Sequence, residues 1–496
     1  MFYSRTPQLM TLLLILIVAV VSRATAQTIS FSRLDRDLPL QNPSQIVTGD
    51  FNKDGNLDVV FSYEAVANVF VLLGKGDGTF GPELNFETLG PPSSLVSGDF
   101  DDDGNLDLAA AVPSRNSIVV LFGDGNGNLN SRTELFQSPF DAPLGVVAAD
   151  FDRDGTQDLM SIAVGSNAVS FVKSNGDRTF GPYTFAGVIR DDPRMIIQAD
   201  FNLDGNPDIA TANFDFFGIT VALGTGTGTL LHAFELPTTN AGAVALTTAD
   251  FNHDTFPDLA FLQSFPSVPG TVSLVLGHGD GTFGPARTDR STGLDPRAIL
   301  SGDFNLDGDP DLVIANSLSN TISILPGTDD VSQVGSAQDF SFFDKPVALA
   351  TGDFNNDCRP DLAVLTAGNG ALAILLNSSP KPPLEVVGVE LNRNVLWPAN
   401  HKMVDVTVSY GTTNNCGAVT CTLSVSSNEP INGTGDSDSA PDWEIIDEHH
   451  IRLRAERAGN GAGRVYTITI TCIDSSGEST SRSVTVEVPK NQRRYS

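Results

Sequence analysis

Apolar residues along this chain are grouped in short runs that polar or glycine-rich segments separate. Leu106 to Val112 and Ser117 to Phe122 are two such runs, with a polar break between them. Runs of Val, Ile, Leu and Ala with few polar alternations are typical of strands that are buried on both faces. Gly, Asp and Asn at the breaks indicate tight turns between strands. The pattern therefore predicts an all-β protein.

A nine-residue acidic pattern recurs through most of the chain. Its copies are DFNKDGNLD (50–58), DFDDDGNLD (99–107), DFDRDGTQD (150–158), DFNLDGNPD (200–208), DFNHDTFPD (250–258), DFNLDGDPD (303–311) and DFNNDCRPD (353–361), here called loops 1 to 7. Their starts are 49, 51, 50, 50, 53 and 50 residues apart, which indicates a structural repeat. Each unit holds four strand-like runs, the composition of one propeller blade. Residues 27–379 are therefore predicted to form a seven-bladed β-propeller.

The seventh unit lacks a fourth strand, because its third apolar run ends at a Pro-rich linker, residues 380–383. The segment Thr28 to Asp35 precedes the first unit and has no partner there. We expect this segment to supply the missing outer strand and so to close the ring and protect its edges.

A second domain follows the linker. Residues 384–489 lose the repeat and contain six strand-like runs, which predicts an Ig-like β-sandwich. These runs are 384–391, 402–409, 420–426, 451–455, 465–472 and 481–488. Residues 490–496 form a polar tail.

The first 26 residues have the features of a secretory signal peptide. Arg5 precedes an apolar run from Met10 to Val21, and Ala24-Thr25-Ala26 provides small residues at a cleavage site. The run is shorter than a membrane span, which needs about 20 apolar residues. We therefore expect cleavage after Ala26 and a secreted, extracellular product without a membrane span.

The chain is strongly acidic, with 60 Asp and Glu against 29 Lys and Arg and a net charge of −31. This balance argues against nucleic acid and anionic membranes as partners, since both require basic clusters. The seven loops alone contain 25 Asp residues. Much of the acidity is therefore concentrated at one recurring feature.

The acidic loops have the composition of calcium sites. Side-chain oxygens recur at loop positions 1, 3, 5 and 9, position 7 can offer a backbone carbonyl, and Gly at position 6 permits a sharp turn. An all-oxygen ligand set suits Ca²⁺, and zinc or copper would require recurring His or Cys. The same residues could also form Asx-type turns without a metal. However, carboxylates that converge seven times would repel one another without a cation.

The candidate ligands follow loop by loop. They are Asp50, Asn52, Asp54, Asn56, Asp58; Asp99, Asp101, Asp103, Asn105, Asp107; Asp150, Asp152, Asp154, Thr156, Asp158; Asp200, Asn202, Asp204, Asn206, Asp208; Asp250, Asn252, Asp254, Phe256, Asp258; Asp303, Asn305, Asp307, Asp309, Asp311; and Asp353, Asn355, Asp357, Arg359, Asp361. Up to seven Ca²⁺ are expected.

The seven sites are not expected to be equal. Loops 2 and 3 carry carboxylates at all four side-chain positions, 1, 3, 5 and 9, and should bind most tightly. Loop 5 has Thr255 and loop 7 has Cys358 at position 6, so a positive φ there would be strained and binding weakest. Position 2 is Phe in every loop, and this alternating neighbour of a ligand should pack between blades.

These motifs resemble those of the FG-GAP/VCBS repeat family, which includes the propeller heads of integrin α-subunits. The resemblance is carried by the DF[ND]xDGxxD loops and by turns such as GDGTFGP at 76–82 and 279–285. It implies a seven-bladed propeller with Ca²⁺ in the hairpin between the first two strands of a blade. The stretches LWPANHKMVDVTV and RVYTITITCIDSSG similarly resemble bacterial Ig-like modules on secreted proteins.

The four cysteines suggest at least one disulfide in an oxidising compartment. We favour a bridge between Cys421 and Cys472, with Cys416 to Cys421 as the rival pairing. Cys358 is expected to stay free.

No catalytic motif stands in a supporting context, so a non-catalytic module that binds an extracellular protein or glycan is the leading hypothesis. An extracellular polysaccharide-degrading enzyme on a propeller scaffold is the alternative. A ligand would contact the end of the propeller opposite the acidic loops. Candidate contact residues there are Phe214, Phe216, Phe217 and Phe265, although they could equally be clamped against the blade.

Overall fold

The computed structural model describes residues 28–490 except for 137–141, 164–166, 190–191, 215–217, 237–241, 266–267, 329–334, 342, 382, 414–417, 430–440, 458–462 and 476. The expected signal peptide, Phe216, Phe217, Cys416 and residues 491–496 of the tail lie outside the described residues. Among the described residues, the one helical segment is a 3-10 turn at Pro113–Arg115, and no helix could cross a membrane.

The described residues between 31 and 377 form repeated four-stranded antiparallel sheets. In chain order, the strands are β1 (Phe31–Asp37); β2 (Pro43–Gly49), β3 (Asp58–Tyr63), β4 (Asn68–Gly74), β5 (Phe80–Glu87); β6 (Ser94–Gly98), β7 (Asp107–Val112), β8 (Ser117–Phe122), β9 (Ser131–Phe136); β10 (Pro143–Ala149), β11 (Asp158–Ala163), β12 (Ala168–Val172), β13 (Thr184–Val188); β14 (Pro193–Ala199), β15 (Asp208–Asn213), β16 (Ile219–Gly224), β17 (Leu230–Leu236); β18 (Ala243–Ala249), β19 (Asp258–Phe265), β20 (Val268–Val275), β21 (Arg287–Leu294); β22 (Pro296–Gly302), β23 (Asp311–Asn316), β24 (Thr321–Leu325), β25 (Gln338–Phe340); and β26 (Pro346–Gly352), β27 (Asp361–Thr366), β28 (Ala371–Asn377).

Each set of four strands forms one sheet with its strands in sequence order, and we number these sheets 1 to 6 from β2–β5 to β22–β25. Sheet 7 contains β26, β27 and β28 and takes β1 as its fourth strand. The first strands of successive sheets contact one another, and β26 of sheet 7 contacts β2 of sheet 1. The all-β prediction is confirmed, and the repeated sheets follow the arrangement of a β-propeller.

The N-terminal segment closes the last sheet as the sequence suggests. Antiparallel pairing joins β1 to β28, from Phe31 opposite Asn377 to Asp37 opposite Ala371. Ile29, just before the strand, is buried beside Phe304 and Leu362 of sheets 6 and 7. Main-chain pairing and side-chain burial therefore both hold this segment in place.

Hydrophobic cores lie between neighbouring sheets, and the Phe at loop position 2 belongs to them. Phe51 packs with Leu95 and Leu108 of sheet 2, and Phe354 packs with Val59 of sheet 1. All seven are buried: Phe51, Phe100, Phe151, Phe201, Phe251, Phe304 and Phe354. The prediction that they pack between sheets is confirmed.

The described residues between 385 and 489 form two further sheets. Their strands are β29 (Glu385–Leu391), β30 (Met403–Thr413), β31 (Thr420–Ser427), β32 (Trp443–Ile445), β33 (His450–Arg454), β34 (Gly463–Ile473) and β35 (Ser479–Pro489). One sheet has the order β29-β30-β33-β32 and the other β31-β34-β35, around a shared apolar core that includes Tyr466. The six predicted runs all form strands, and the three-residue β32 is an addition that its short sequence did not indicate.

The favoured disulfide is confirmed, because Cys421 and Cys472 face each other across β31 and β34 and are bonded. The expectation that Cys358 stays free is wrong, since this residue is disulfide-bonded as well. Its side chain is half-buried at a surface turn and not enclosed in a core, so another segment can approach it. The linker is also anchored, since Lys381 Nζ lies 2.9 Å from Oδ2 of the buried Asp474.

Candidate metal centres in the acidic loops

The acidic loops connect the first and second strands of all seven sheets. In each sheet, the Asp at position 9 begins the second strand and pairs with the last residue of the first, as Asp107 does with Gly98. The same pairing joins Asp58 to Gly49, Asp158 to Ala149, Asp208 to Ala199, Asp258 to Ala249, Asp311 to Gly302 and Asp361 to Gly352. The seven loops therefore share one end of the ring.

The carboxylate at position 1 organises the loop through backbone hydrogen bonds. In loop 1, Asp50 accepts the N–H groups of Asp54 at 3.1 Å and Gly55 at 2.9 Å. The N–H of position 6 reaches position 1 in every loop, including Thr255 to Asp250 and Cys358 to Asp353. Asp and Asn side chains thus create the turn locally.

Position 6 has a positive φ in all seven loops, as the turn geometry requires. Gly occupies it five times, whereas Thr255 has φ +75° and Cys358 has φ +64°. Position 4 also lies in the left-handed region in every loop, with His253 at φ +58° as one example. The sequence predicted a positive φ at position 6, because glycine recurs there. It did not predict the positive φ at position 4, because no loop has glycine at that position.

The Asp at position 9 is fully buried and holds the loop against the sheet. Asp107 accepts the Phe100 N–H at 2.9 Å and the Gly123 N–H at 2.7 Å. Burial raises the pKa of this carboxyl to about 7, although the hydrogen bonds lower it, and the neighbouring Asp101 and Asp103 raise it further. The pKa values of Asp158, Asp311 and Asp361 are likewise raised to about 7, and those of Asp58, Asp208 and Asp258 to about 6.

Loops 2 and 3 bring three carboxylates together. Oxygens of Asp99, Asp101 and Asp107 lie within 4.8 Å of one another, and so do those of Asp150, Asp152 and Asp158. These are the two clusters of this kind among the described residues. They occur in the two loops that have Asp instead of Asn at position 3. The same difference is the reason why the sequence predicts the tightest calcium binding in loops 2 and 3.

Some of these oxygens are buried without a hydrogen-bond partner among the described residues. They are Asp99 Oδ1 in loop 2 and Asp152 Oδ1 and Asp158 Oδ2 in loop 3. A buried carboxylate oxygen without a donor is costly. A hard cation would satisfy these atoms, so the residues present fit Ca²⁺.

In the other five loops, an amide occupies position 3. Asn52 donates from Nδ2 to Asp54 Oδ2 at 3.0 Å and accepts the Asp54 N–H at 3.1 Å. Asn202, Asn252, Asn305 and Asn355 repeat both bonds. These loops lack a carboxylate at position 3, and the amide in its place hydrogen-bonds to position 5 within the loop.

Lys and Arg side chains form ion pairs with carboxylates of loops 2, 3 and 7, and sequence reasoning missed these pairings. Arg178 Nε lies 2.5 Å from Asp101 Oδ2, and Lys173 donates to both Asp152 and Asp154. Arg359 Nη1 lies 2.7 Å from Asp357 Oδ2 in loop 7. The sequence did contain one indication of such a role. In the recurring turn, written GDGTFGP at 76–82 and NGDRTFGP at 175–182, Arg178 replaces a glycine and has a φ of +69°.

Neighbouring loops contact one another around the ring. Arg153 donates to the Asp204 carbonyl at 3.0 Å, and His253 Nε2 lies 2.5 Å from Asp309 Oδ1. Asn356 Nδ2 donates to Asn56 Oδ1 at 2.8 Å, which joins loop 7 to loop 1. The recurring turns add backbone bonds: the Gly127 N–H donates to the Phe51 carbonyl at 3.1 Å.

One comparison with known proteins, the one against protein families, agrees with the repeat. A family model described as FG-GAP-like repeat matches residues 50–110, 99–161, 200–261 and 303–364, and each match spans two consecutive acidic loops. The chain therefore carries FG-GAP-like repeats. The sequence matches none of the curated proteins. Among solved structures, Kuenenia stuttgartiensis hydrazine synthase aligns with a TM-score of 0.49 at 11% identity, covering 70% of this chain and 98% of that chain.

Proposed function

We propose that this protein is a secreted, calcium-stabilised seven-bladed β-propeller with an Ig-like sandwich, and that it acts as a non-catalytic binding module for an extracellular protein or glycan. The seven four-stranded sheets of residues 31–377 support the blade count, and the two C-terminal sheets support the sandwich. Residues 1–26 have the pattern of a signal peptide, which supports secretion.

One observation carries the calcium assignment: three carboxylates converge in loop 2 and in loop 3, with buried oxygens that lack donors among the described residues. Asp99, Asp101 and Asp107 would hold one ion, and Asp150, Asp152 and Asp158 another. The five remaining loops would bind more weakly, with loops 5 and 7 the weakest. Bound Ca²⁺ supplies positive charge that relieves carboxylate repulsion.

The proposed role of the metal is structural. Carboxylates at positions 1 and 9 already fix the loop backbone, and the loops contact one another around the ring. A cation that binds only the folded state adds about 2.7 kcal/mol per site at a hundredfold excess over Kd. Calcium would therefore hold together one end of the propeller and leave the other end for a ligand.

A calcium titration tests this function. The full chain is melted in chelator and in increasing Ca²⁺, and isothermal titration calorimetry counts the sites. Asp101→Asn and Asp152→Asn give loops 2 and 3 the amide of the other loops, so both tight sites should weaken. Asp77→Asn, in an exposed turn where Asp77 binds Thr79, is the matched control. An identical melt in chelator and in calcium contradicts the proposal.

A further inference from the structure

Two arginines stand at corresponding places in sheets 4 and 6, each in an Asp-Pro-Arg sequence at the start of the first strand. They are Arg194, after Asp192 and Pro193, and Arg297, after Asp295 and Pro296. Arg194 Nη2 lies 2.7 Å from Asp192 Oδ2, and Arg297 Nε lies 2.8 Å from Asp295 Oδ2. Each Asp thus orients an arginine, and about half of each arginine side chain remains exposed.

Backbone contacts fix both motifs. The Phe214 N–H donates to the Asp192 carbonyl at 3.0 Å, and the Ser317 N–H donates to the Asp295 carbonyl at 2.9 Å. Both Asp residues have a positive φ, +54° and +52°. The guanidinium groups therefore extend from a held backbone, which lowers the entropy lost when a ligand binds.

The two arginines line a cleft of about 420 Å³ formed by sheets 4, 5 and 6 at the end opposite the acidic loops. This volume lies within the roughly 300–1,000 Å³ typical of small-ligand sites. Both arginines also line the central channel of the ring, so the cleft opens where the channel does. The cleft therefore presents two partly exposed guanidinium groups, each paired with the Asp of its own motif.

Aromatic rings and a hydroxyl complete the cleft. Phe214 is 41% exposed, and its ring centre lies 5.0 Å from Arg194 Cζ. Phe265 and Ser264, at the end of β19, contribute a second ring and a hydrogen-bonding group. Two of the aromatic residues anticipated from the sequence therefore belong to this cleft, and Phe214 is not clamped out of reach of solvent.

We propose that this cleft binds an acidic sugar residue of an extracellular glycan, with Arg194 and Arg297 on its carboxylate and Phe214 and Phe265 against its apolar face. Planar guanidinium groups match carboxylates through paired hydrogen bonds. Arg297 keeps both Nη groups without a partner among the described residues, so they are available for such bonds. The inference rests on the proposed binding function and specifies its ligand class.

Long polyanions are disfavoured, because the remaining surface is acidic and would repel them. A single carboxylate within a mostly neutral sugar chain requires only the guanidinium N–H groups that Asp192 and Asp295 leave unbonded. The Phe rings offer flat apolar surface that an acidic peptide side chain would not use. These features select an acidic sugar over an acidic peptide.

The test uses the full chain in calcium with trimers of galacturonate and of mannuronate. Galactotriose is the neutral probe, and a glutamate tripeptide with an amidated C-terminus is the acidic peptide. Calorimetry should detect at least one acidic trimer and neither galactotriose nor the peptide. Arg194→Gln and Arg297→Gln should each weaken binding by about tenfold or more. Phe214→Ala should also weaken it. Arg115→Gln, which removes an exposed arginine paired with Glu134 elsewhere in the ring, is the matched control.

Failure of both acidic trimers to bind, unchanged binding in the double arginine variant, or equal binding of the peptide overturns the inference. An unchanged calcium-induced rise in melting temperature shows that each variant is folded. If calcium dependence holds and no trimer binds, the cleft assignment fails and the calcium assignment stands. Cleavage of a bound trimer, detected by chromatography, would instead support the cleft and overturn the non-catalytic function.

Discussion

Arg178, in the hairpin turn of sheet 3, places its Nε 2.5 Å from Asp101 Oδ2 in the acidic loop of sheet 2. Its Nη2 also reaches Asp103 Oδ2 at 3.4 Å, and the ring of Phe122 lies beneath the guanidinium. An arginine of one sheet thus serves as a counter-ion for the candidate metal loop of its neighbour. A calcium ion in loop 2 and this guanidinium would both neutralise the same carboxylates.

We therefore expect Arg178→Gln to make the protein more dependent on calcium. In chelator its melting temperature should fall, because Asp101 and Asp103 lose their internal cation. In saturating calcium the fall should be smaller, so the calcium-induced shift grows. Scanning fluorimetry measures both values. Arg115→Gln, which breaks an exposed Arg–Glu pair outside the loops, should leave the shift unchanged, and an equal shift in both variants would count against this role.

Stability without calcium should fall as pH rises. The buried position 9 carboxyls have pKa values of about 6 to 7, above the ordinary 3.8, chiefly because burial disfavours their charged form. Between about pH 4 and pH 7 the unfolded chain has lost protons that the folded state still holds, so this contribution is lost as pH increases.

Melting curves in chelator from about pH 5 to about pH 8 check this expectation. Bound calcium favours ionised carboxylates, so the same series in saturating calcium should show a smaller decline. Calcium binding near pH 6.5 should also release protons, which calorimetry in two buffers of different ionisation enthalpy detects. A chelator series that becomes more stable as pH rises would contradict the assignment.

The N-terminal segment should contribute strongly to stability. Deletion of residues 27–38 removes β1 from sheet 7 and exposes the edge of β28, so we expect a sharp fall in melting temperature. Ile29→Ala, at a side chain that is only 1% exposed, should cost about 2–5 kcal/mol. Leu34→Ala, on the same segment but 37% exposed, is the control and should cost much less. Equal costs would argue against a packing role for Ile29.

Position 6 allows a reciprocal test of backbone strain. Thr255→Gly should stabilise the protein by about 1 kcal/mol, because Thr255 has φ +75° and its N–H bond to Asp250 is kept. Gly308→Thr should have the opposite effect in loop 6, where φ is +93° and no atom lies within 4 Å of an added Cβ. Denaturant unfolding measures both changes. If the two substitutions shift stability in the same direction, strain is not the cause.

The repeated sheets could be predicted from the sequence, because each copy of the acidic pattern occupies the turn between the first and second strands of a sheet. The closing strand could be predicted because the seventh unit lacks a fourth strand and the N-terminal segment has no partner in the first unit. The pairing of β1 with β28 confirms this prediction. The roles of Lys173, Arg178 and Arg359 as counter-ions could not be predicted from the sequence. Their contacts depend on side-chain conformations across turns and between sheets. The pairs Asp192–Arg194 and Asp295–Arg297 could not be predicted either. The Asp-Pro-Arg sequences are visible in the chain, but only the fold shows that both lie in one cleft beside the central channel.

The pairing of β1 with β28 joins two strands that are synthesised far apart in time. Ser30 and Ser378, 348 residues apart in the chain, hydrogen-bond through their hydroxyl groups at 3.0 Å. Although β1 precedes every other strand of sheets 1 to 7 in the chain, its partner β28 is the last of these strands to be synthesised. During translation both β1 and the growing edge of the ring are left unpaired, and the closed ring can form only after β28 has been made.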